Sequence, residues 1–250
     1  MGCASVRFSP LEQHINKHSV LTGFEQHSPA HILEVIKERS TADLVLSTQF
    51  EAIKTNLALK EGETTVEQFY SKRWRQKEGD RQRLVQGNER LEGGIGAKVT
   101  VMEAEGLVVV GVLLSQGSAK GKSEALFDLF DVSCAGFLPT KSVRGLLIAL
   151  FSAACRDLPS LVPTEQISDD MPKYLQKCQE GAQEAVQSTG ALIMGQRDRV
   201  SKAEFGERLM SFEKGALLTA SGIREYALEC GKLAAANVEK RVKGKQKAST

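Results

Sequence analysis

The chain has 250 residues, of which 41% are hydrophobic and 26% are charged. This composition is ordinary for a soluble globular protein and leaves enough apolar residues for a substantial core. Lysine and arginine number 33 against 31 acidic residues, so the net charge of +2 does not favour nucleic acid as a partner.

Cysteine usage and hydropathy predict a cytoplasmic location. The five cysteines include no CxxC pair, and this odd, scattered set favours free thiols in a reducing compartment. The longest apolar run, Leu107–Leu114, is far shorter than the roughly 20 residues that span a bilayer. The first residues contain no apolar stretch of the secretory kind. We expect neither a signal peptide nor a transmembrane helix.

Glycine, proline and apolar spacing predict four parts. These are a flexible N-terminal segment (1–30), an N-terminal lobe (31–116), a C-terminal lobe (117–220), and a last helix with a basic tail (221–250). In the N-terminal lobe, apolar spacing predicts a helix over Leu44–Ile53 and a basic helix over Val66–Arg90. Lys98–Val101 is a strand candidate, and Leu107–Leu114 is predicted to be a helix.

The stretch Phe127–Leu138 ends a predicted helix and passes through a tight loop into a short apolar strand. Gly136 follows Asp131 by five residues, and Leu138 follows Gly136 by two. This is the spacing of an EF-hand calcium loop with Asp131 at position one and Ser142 at position twelve. A small residue at position six permits the sharp bend, and apolar residues at position eight pair between two loops.

Further loops are predicted on the same spacing. A loop with Glu204 at position twelve has Val200 at position eight. A loop over Glu92–Glu103 has Val99 at position eight, and a register two residues later ends at Glu105. A weaker candidate spans Leu57–Gln68.

The middle of the chain resembles four-hand EF-hand proteins such as calcineurin B and the neuronal calcium sensors. The residues that carry this resemblance are Val99–Val101, Leu113, Leu114, Gly117 and Phe127–Asp131. The resemblance implies a mainly α fold of EF-hand-like paired helix–loop–helix lobes with short two-stranded β-ribbons. The alternative is an all-helical domain whose glycine turns imitate such loops.

The loop that begins at Asp131 has few calcium ligands. Ca²⁺ binds six to eight oxygens, usually including a bidentate Glu at position twelve. The candidate site is Asp131 and Ser133 with the backbone carbonyl of Phe137, whereas Ala135 and Ser142 supply no carboxylate. In the later loop, Glu204 is the weak candidate ligand, and Arg197 brings positive charge. We therefore expect no cofactor, or at most weakly bound Ca²⁺.

Loops that keep the fold signals and lack the metal ligands favour a non-enzymatic adaptor or structural protein. Paired hands accept an amphipathic helix of a partner in an apolar groove. The candidate groove residues, for which core packing is the alternative role, are Leu107, Val110, Leu114, Leu146, Leu147, Leu150 and Phe151. We expect a protein partner or a large assembly, with a cytoskeletal or ciliary location as a hypothesis. A low-affinity calcium-responsive regulator is the alternative function.

Residues 117–123 suggest a different class, a nucleotide-binding enzyme with an atypical P-loop. A P-loop places GxxxxGK[ST] between a buried strand and a helix. Here Gly117 and Gly121 enclose only three residues, so an interhelical turn is the simpler interpretation. No catalytic residue is predicted.

The start of the chain matches an acylation pattern. Gly2 is a myristoylation acceptor and Cys3 an adjacent palmitoylation acceptor, although Val6 stands where the motif has Ser or Thr. Two acyl chains would give a stable membrane attachment that one chain does not. Membrane association is expected only through this modification.

Overall fold

The structure, a computed structural model, describes residues 9–19, 22–41, 43–59, 69–71, 75–78, 98–212 and 215–247. It is mainly helical, as predicted. No helix in these ranges combines the length and the apolar character needed to cross a membrane.

Helices make up most of the described residues, and the strands between them are short. The α-helices are α1 (Pro10–Ser19), α2 (Pro29–Arg39), α3 (Ser47–Asn56), α4 (Ala104–Leu114), α5 (Ala119–Phe130), α6 (Thr140–Ser152), α7 (Asp170–Met194), α8 (Lys202–Ser211) and α9 (Ala220–Lys247). The strands are β1 (Leu44–Leu46), β2 (Arg75–Glu78), β3 (Lys98–Glu103), β4 (Phe137–Pro139) and β5 (Arg199–Ser201). Short 3₁₀ turns cover Phe24–Gln26, Leu158–Leu161, Thr164–Gln166 and Ala216–Leu218, and a π-helical turn covers Ala153–Asp157.

A three-stranded antiparallel sheet, in the order β1-β3-β2, organises the N-terminal half. Val45 pairs with Met102 between β1 and β3, and both side chains are buried. Strand β1 continues directly into α3, and β3 continues into α4. The predicted strand at Lys98–Val101 and the predicted helix at Leu107–Leu114 are both present. The part of the predicted loop Leu57–Gln68 that follows Leu59 lies outside the described residues.

Two helix predictions in this half are wrong in part. Ser47–Ile53 of the predicted helix Leu44–Ile53 is helical, as are residues 69–71 of the predicted helix Val66–Arg90. Apart from 69–71 and Arg75–Glu78, the second prediction lies outside the described residues. Leu44–Leu46 and Arg75–Glu78 are strands, because each gains backbone hydrogen-bond partners from β3. A three- or four-residue segment is too short for its own periodicity to distinguish a strand from a helix. The distant partner therefore decides the conformation.

The C-terminal half contains two helix–loop–helix units joined by a two-stranded ribbon. The first runs from α5 through β4 to α6, and the second from α7 through β5 to α8. Strands β4 and β5 are antiparallel, and Leu138 pairs with Val200. These are the two residues that the sequence places at position eight of their loops, and both are fully buried.

Local sequence signals account for where several helices begin. The Ser28 hydroxyl accepts a hydrogen bond from the amide of His31, and Pro29 occupies the first turn of α2. The Ser118 hydroxyl likewise accepts a bond from the amide of Gly121 at the start of α5. These caps satisfy amides that have no partner within the first helical turn.

One hydrophobic core serves both halves. Its buried residues come from α2, α3 and α4 as well as from α5 to α9. Helices α2 and α4 approach closely, and a Cβ atom built on Gly111 would lie 2.8 Å from Cγ2 of Ile32. The predicted boundary between residues 116 and 117 thus falls within a continuous packed body.

Part of the segment predicted to be flexible is the ordered helix α1. Its Glu12 carboxylate meets the Arg224 guanidinium of α9, and both side chains are almost fully buried. Arg224 Nε donates to Oε1 at 2.7 Å, and Nη2 donates to Oε2 at 2.6 Å. The third guanidinium nitrogen, Nη1, donates to the backbone oxygen of Ala154 at 2.8 Å. The Tyr174 hydroxyl of α7 also donates to Glu12, and burial together with this bond raises the pKa of Tyr174.

Breaking this buried ion pair should destabilise the protein strongly. Arg224→Met leaves the Glu12 carboxylate buried without its cation, and we expect the free energy of unfolding to fall by about 3–5 kcal/mol. Adding Glu12→Leu removes the unpaired charge and should recover most of this loss. Urea denaturation followed by circular dichroism measures both values.

The matched control for the ion pair is Arg156→Met, which breaks an exposed pair with Asp157. It should change the free energy of unfolding by less than about 1 kcal/mol. Equal effects of Arg224→Met and Arg156→Met would contradict the structural role of the buried pair.

Helices α7 and α9 cross at two glycines. A Cβ atom built on Gly181 would lie only 1.9 Å from the Ala227 carbonyl oxygen, and Gly231 of α9 faces the same crossing. The backbones can approach this closely only because neither residue has a side chain.

Gly181→Ala should therefore lower the free energy of unfolding by about 1–3 kcal/mol or more, since the methyl group forces the two helices apart. Gly190→Ala is the control in the same helix, where the new methyl would meet only Leu147 Cδ1 at 3.7 Å. There the better helix propensity of alanine should stabilise the protein by up to about 1 kcal/mol. Thermal melts of both variants measure these changes in stability. A Gly181→Ala variant as stable as wild type would be inconsistent with the close crossing.

Candidate functional site

The loop after α5 is closed by its own hydrogen bonds around Asp131. The carboxylate accepts the amide of Ala135 at 2.9 Å through Oδ1 and the amide of Gly136 at 2.7 Å through Oδ2. The Ser133 hydroxyl is 3.4 Å from Oδ1. The backbone oxygen of Asp131 also accepts the amide of Cys134. Both carboxylate oxygens are thus engaged within the loop.

Positive backbone φ angles shape this turn. Gly136 has φ of 77°, and Cys134 has φ of 53°. Glycine adopts such a conformation without strain, whereas a residue with a Cβ atom does so at some cost. The sharp bend predicted at position six is therefore present at Gly136.

Phe137 leads from the loop into β4 and is partly exposed. The Arg199 guanidinium of the neighbouring strand lies 4.8 Å from the centre of its ring, within range of a cation–π contact. The predicted metal-site residues Asp131, Ser133 and Phe137 thus lie together in one loop. Their side chains interact with protein groups.

Glu204 forms a capping box at the start of α8. Its Oε2 accepts the Ser201 hydroxyl at 2.8 Å and the Ser201 amide at 3.2 Å, and Arg197 donates to Oε1. These hydrogen bonds from Ser201, followed by that from Arg197, lower the pKa of Glu204 from 4.5 to about 2. The carboxylate holds the helix start and pairs with an arginine.

No three His, Cys, Asp or Glu side chains form a group suited to a metal ion within the part of the chain that the structure describes. Two of the predicted ligands contact protein groups in the loops of the C-terminal half. Asp131 faces the amides of its own loop, and Glu204 faces Ser201 and Arg197.

The predicted groove residues lie in the core. Leu107 and Val110 of α4, together with Leu146, Leu147, Leu150 and Phe151 of α6, are buried, and Leu114 is partly buried against them. They pack the two halves together. Phe151 also lines a surface depression.

The opposite face of α6 is exposed and carries Ile148, which is 51% accessible. Ile148 stands between two depressions, of about 670 Å³ and about 370 Å³. The larger lies between α6 and the junction of β3 with α4, and has Phe69 and Met102 in its lining. The smaller lies between α6 and α7 and has Phe151 and Val186 in its lining.

The two depressions differ in charge. Glu103 and Glu105 line the larger one, and burial, followed by repulsion from Glu103 and Asp43, raises the pKa of Glu105. Arg144 lines the smaller depression, and Arg156 lies between the two. A cation bound at the larger depression would reduce the repulsion between Glu105 and its acidic neighbours. An anion bound at the smaller depression would be attracted to Arg144.

The Ile148 surface is a feature that the sequence interpretation missed. The buried residues of α6 follow helical spacing, whereas Ile148 lies off that stripe, four residues from both Arg144 and Ser152. An isoleucine with polar residues four positions before and after it on a helix indicates an exposed apolar side chain, and this spacing could have predicted the Ile148 surface.

Residues 115–118 link α4 to α5, and residues 119–123 form the first turns of α5. The segment before this link is the helix α4, where a P-loop would have a strand. The Lys122 ammonium is buried and donates to the Leu113 carbonyl at 2.8 Å, and burial lowers its pKa to about 8. The geometry of a phosphate-binding loop is therefore not seen at this segment.

The cysteines that the structure describes are free thiols. Cys134 is exposed in the loop, whereas Cys155, Cys178 and Cys230 are buried. Burial is the main cause that raises the pKa of Cys155 to about 12 and that of Cys178 to about 11, so both are poor nucleophiles. The predicted acylation residues Gly2 and Cys3 lie outside the described residues.

Comparisons of the chain with protein-family models, with curated proteins and with solved structures find no match. Inferences about function therefore come from the geometry of this chain.

The low pKa of Glu204 predicts a pH-dependent contribution to stability. Because the folded-state pKa lies below 4.5, the ionised carboxylate stabilises the folded protein above that pH, and the contribution is lost as the pH falls toward 2. Glu204→Gln should lower the melting temperature at neutral pH, and its difference from wild type should narrow below pH 4.5. Melting curves across this range provide the measurement.

Glu207→Gln, an exposed substitution on the same helix, serves as the control. Its melting temperature should differ from that of wild type by the same small amount at every pH. A constant difference between Glu204→Gln and wild type at every pH would argue against the capping role.

Proposed function

We propose that this chain is a non-enzymatic, EF-hand-like adaptor that binds a protein partner in a state that does not require calcium. The observation that carries the binding proposal is the exposed Ile148, set between two depressions of different charge on α6. The loop contacts support the part that concerns calcium.

The strand registers support an EF-hand-like interpretation of the fold. Leu138 and Val200, at position eight of their loops, are cross-strand partners, and each precedes the start of a helix by two residues. Val45 and Met102 are likewise cross-strand partners, and each lies two residues before a helix, α3 and α4 respectively. Two antiparallel strand pairs, each of whose strands leads directly into a helix, are what paired hands would give.

Under this proposal the two N-terminal loops are counted differently from the predicted ones. With Val45 and Met102 at position eight, the loops correspond to residues 38–49 and 95–106 instead of Leu57–Gln68 and Glu92–Glu103. Position twelve is then Gln49 in the first loop and Gly106 in the second. Neither offers the bidentate carboxylate that calcium sites use at this position.

The loops of the C-terminal half have an internal substitute for the cation. In the first, backbone amides donate hydrogen bonds to Asp131, and in the second, Glu204 pairs with the Arg197 cation and accepts the Ser201 hydroxyl. A calcium ion would have to compete with these contacts while gaining few additional oxygens. Sensor-level affinity depends on the number and charge of the ligands, so a calcium-independent adaptor is favoured over a calcium-responsive regulator.

The charges around Ile148 indicate the chemistry of the partner. We propose an amphipathic helix whose apolar residue covers Ile148. Its basic residues would face Glu103 and Glu105, and its acidic residues would face Arg144. Complementary charges of this kind set orientation and specificity more than affinity. A cytoskeletal or ciliary assembly is the kind of setting in which such an adaptor would act.

Partner capture with surface variants tests the proposal. The immobilised full chain should retain a protein from extracts of its native cell, and Ile148→Asp should lose it because the apolar anchor is replaced by a charge. Leu192→Asp is the matched control, since Leu192 is also exposed but lies on α7 away from both depressions. Capture should be equal with calcium and with a chelator.

Calcium titration calorimetry on the same protein completes the test, and we expect no heat of binding in the micromolar range. Micromolar uptake with calcium-dependent capture would favour the calcium-responsive regulator. Equal retention by the Ile148→Asp variant would reject the α6 surface as the binding site.

A further inference from the structure

The smaller depression beside Ile148 continues into a third depression along α7. The smaller has a volume of about 370 Å³ and the third about 390 Å³, and both are lined by Arg144 of α6 and Val186 of α7. The α7 residues that line them recur at spacings of three and four from Gln179 to Met194, so they lie on one face of that helix. We call these two adjoining depressions the α6–α7 groove.

The lining of the α6–α7 groove combines apolar side chains with positive charge. Phe151 and Val186 line the smaller depression, Val143 and Met194 line the third, and all four are buried. The charged residues that the structure describes in the lining are arginines, namely Arg144, Arg156 and Arg197. The groove therefore favours a ligand that is both apolar and negatively charged.

Arg144 differs from the other two arginines of the groove. Arg156 pairs with Asp157, and Arg197 pairs with Glu204. Arg144 is exposed and has no carboxylate partner among the described residues. Because Arg144 lines both depressions, its charge lies between two apolar surfaces.

The distance between the two depressions sets the spacing of a ligand's apolar groups. Gln183 lines the smaller depression and Gly190 lines the third. They are seven residues apart on α7, which is about 10 Å along the helix axis. A ligand that fills both depressions therefore needs two apolar groups about 10 Å apart, with an anion between them to face Arg144.

An α-helix meets this requirement. Its residues i and i+7 lie about 10 Å apart on one face, and residues i+3 and i+4 lie between them on the same face. In an extended strand, residues about 10 Å apart are separated by three positions and point to opposite faces. A fatty acid has its anion at one end and not between two apolar groups.

We propose that the α6–α7 groove binds a helix of the partner that has apolar residues at positions i and i+7 and an acidic residue at i+3 or i+4. The apolar residues would occupy the two depressions, one of them against Ile148, and the carboxylate would face Arg144. This inference rests on the proposed adaptor function, and it adds the spacing of the anchors and the sign of the charge that the partner needs.

Synthetic peptides test the proposal on the full chain. An alanine- and glutamine-based peptide of about 18 residues, long enough to form a helix, has leucine at i and i+7 and glutamate at i+4. Fluorescence anisotropy of the labelled peptide measures its Kd. Replacing either leucine by alanine should raise the Kd about 10-fold, because an apolar anchor is lost. Replacing glutamate by arginine should also raise it about 10-fold, because an attraction becomes a repulsion.

A charge exchange locates the carboxylate of the peptide. Arg144→Glu should raise the Kd of the glutamate peptide about 10-fold, and this variant should bind the arginine peptide more tightly than wild type does. Arg39→Glu is the control, because Arg39 is exposed on α2, lines neither depression and gives the same change in net charge. The Kd of this control should stay within about 3-fold of wild type.

A second variant tests the third depression. Ala191 is exposed and lines it, so Ala191→Gln places a larger side chain there. The Kd of the peptide with two leucines should rise about 10-fold, whereas that of a peptide with one leucine should change less than about 3-fold. Leu192→Gln, at the exposed neighbouring residue outside the groove, should leave both Kd values unchanged.

The outcomes separate this inference from the adaptor proposal. If Ile148→Asp loses the captured partner while Arg144→Glu and Ala191→Gln retain it, the adaptor function stands and the α6–α7 groove is rejected. No binding of the peptide with two leucines, or equal Kd values for it and its alanine variants, would also overturn the inference. A dimer of the chain that Ala191→Gln dissociates would assign the groove to a second copy, and displacement of the peptide by laurate at lower concentration would assign it to an acyl chain.

Discussion

The buried Glu12–Arg224 pair constrains much of the C-terminal half. A guanidinium that is removed from water must find acceptors for its donors, because an unpaired buried charge is strongly destabilising. Arg224 finds them on α1 and at the Ala154 carbonyl, while Tyr174 of α7 completes the hydrogen bonds to Glu12. The positions of α1, α7, α9 and the π-helical turn are thus linked through one group. The first helix belongs to the same packed unit as the last.

The paired loops show how a turn can keep its shape by protein contacts alone. Backbone amides occupy both oxygens of Asp131, and an arginine and a serine occupy those of Glu204. The ribbon between Leu138 and Val200 then fixes the two loops relative to each other. These contacts are the basis of the proposal that the chain is an adaptor and not a calcium switch.

The features that are predictable from sequence are those that depend on short spacings. Leu138 lies two residues after Gly136, and Val200 lies four residues before Glu204. This spacing puts both apolar residues at position eight of their loops, where they pair. The helix prediction for Leu44–Leu46 is wrong because the conformation of this segment depends on β3, far along the chain. Glu12 and Arg224 are separated by 212 residues, so no local pattern could connect them. Apolar spacing on α6 identifies residues of the core, whereas the exposed candidate surface depends on the single residue Ile148.

The π-helical turn at Ala153–Asp157 limits how the length of this chain can vary during evolution. Such a turn contains one residue more than the α-helical turn it replaces, and the hydrogen bonds it leaves open must be met elsewhere. Here the Ala154 carbonyl receives Arg224, and the Cys155 carbonyl receives the Gln179 side chain. Deleting the extra residue would restore an α-helical turn whose carbonyls bond within the helix, so Arg224 and Gln179 would lose these acceptors. Descendants of this sequence are therefore expected to gain or lose residues in other turns and to keep the number of residues between Ser152 and Leu158.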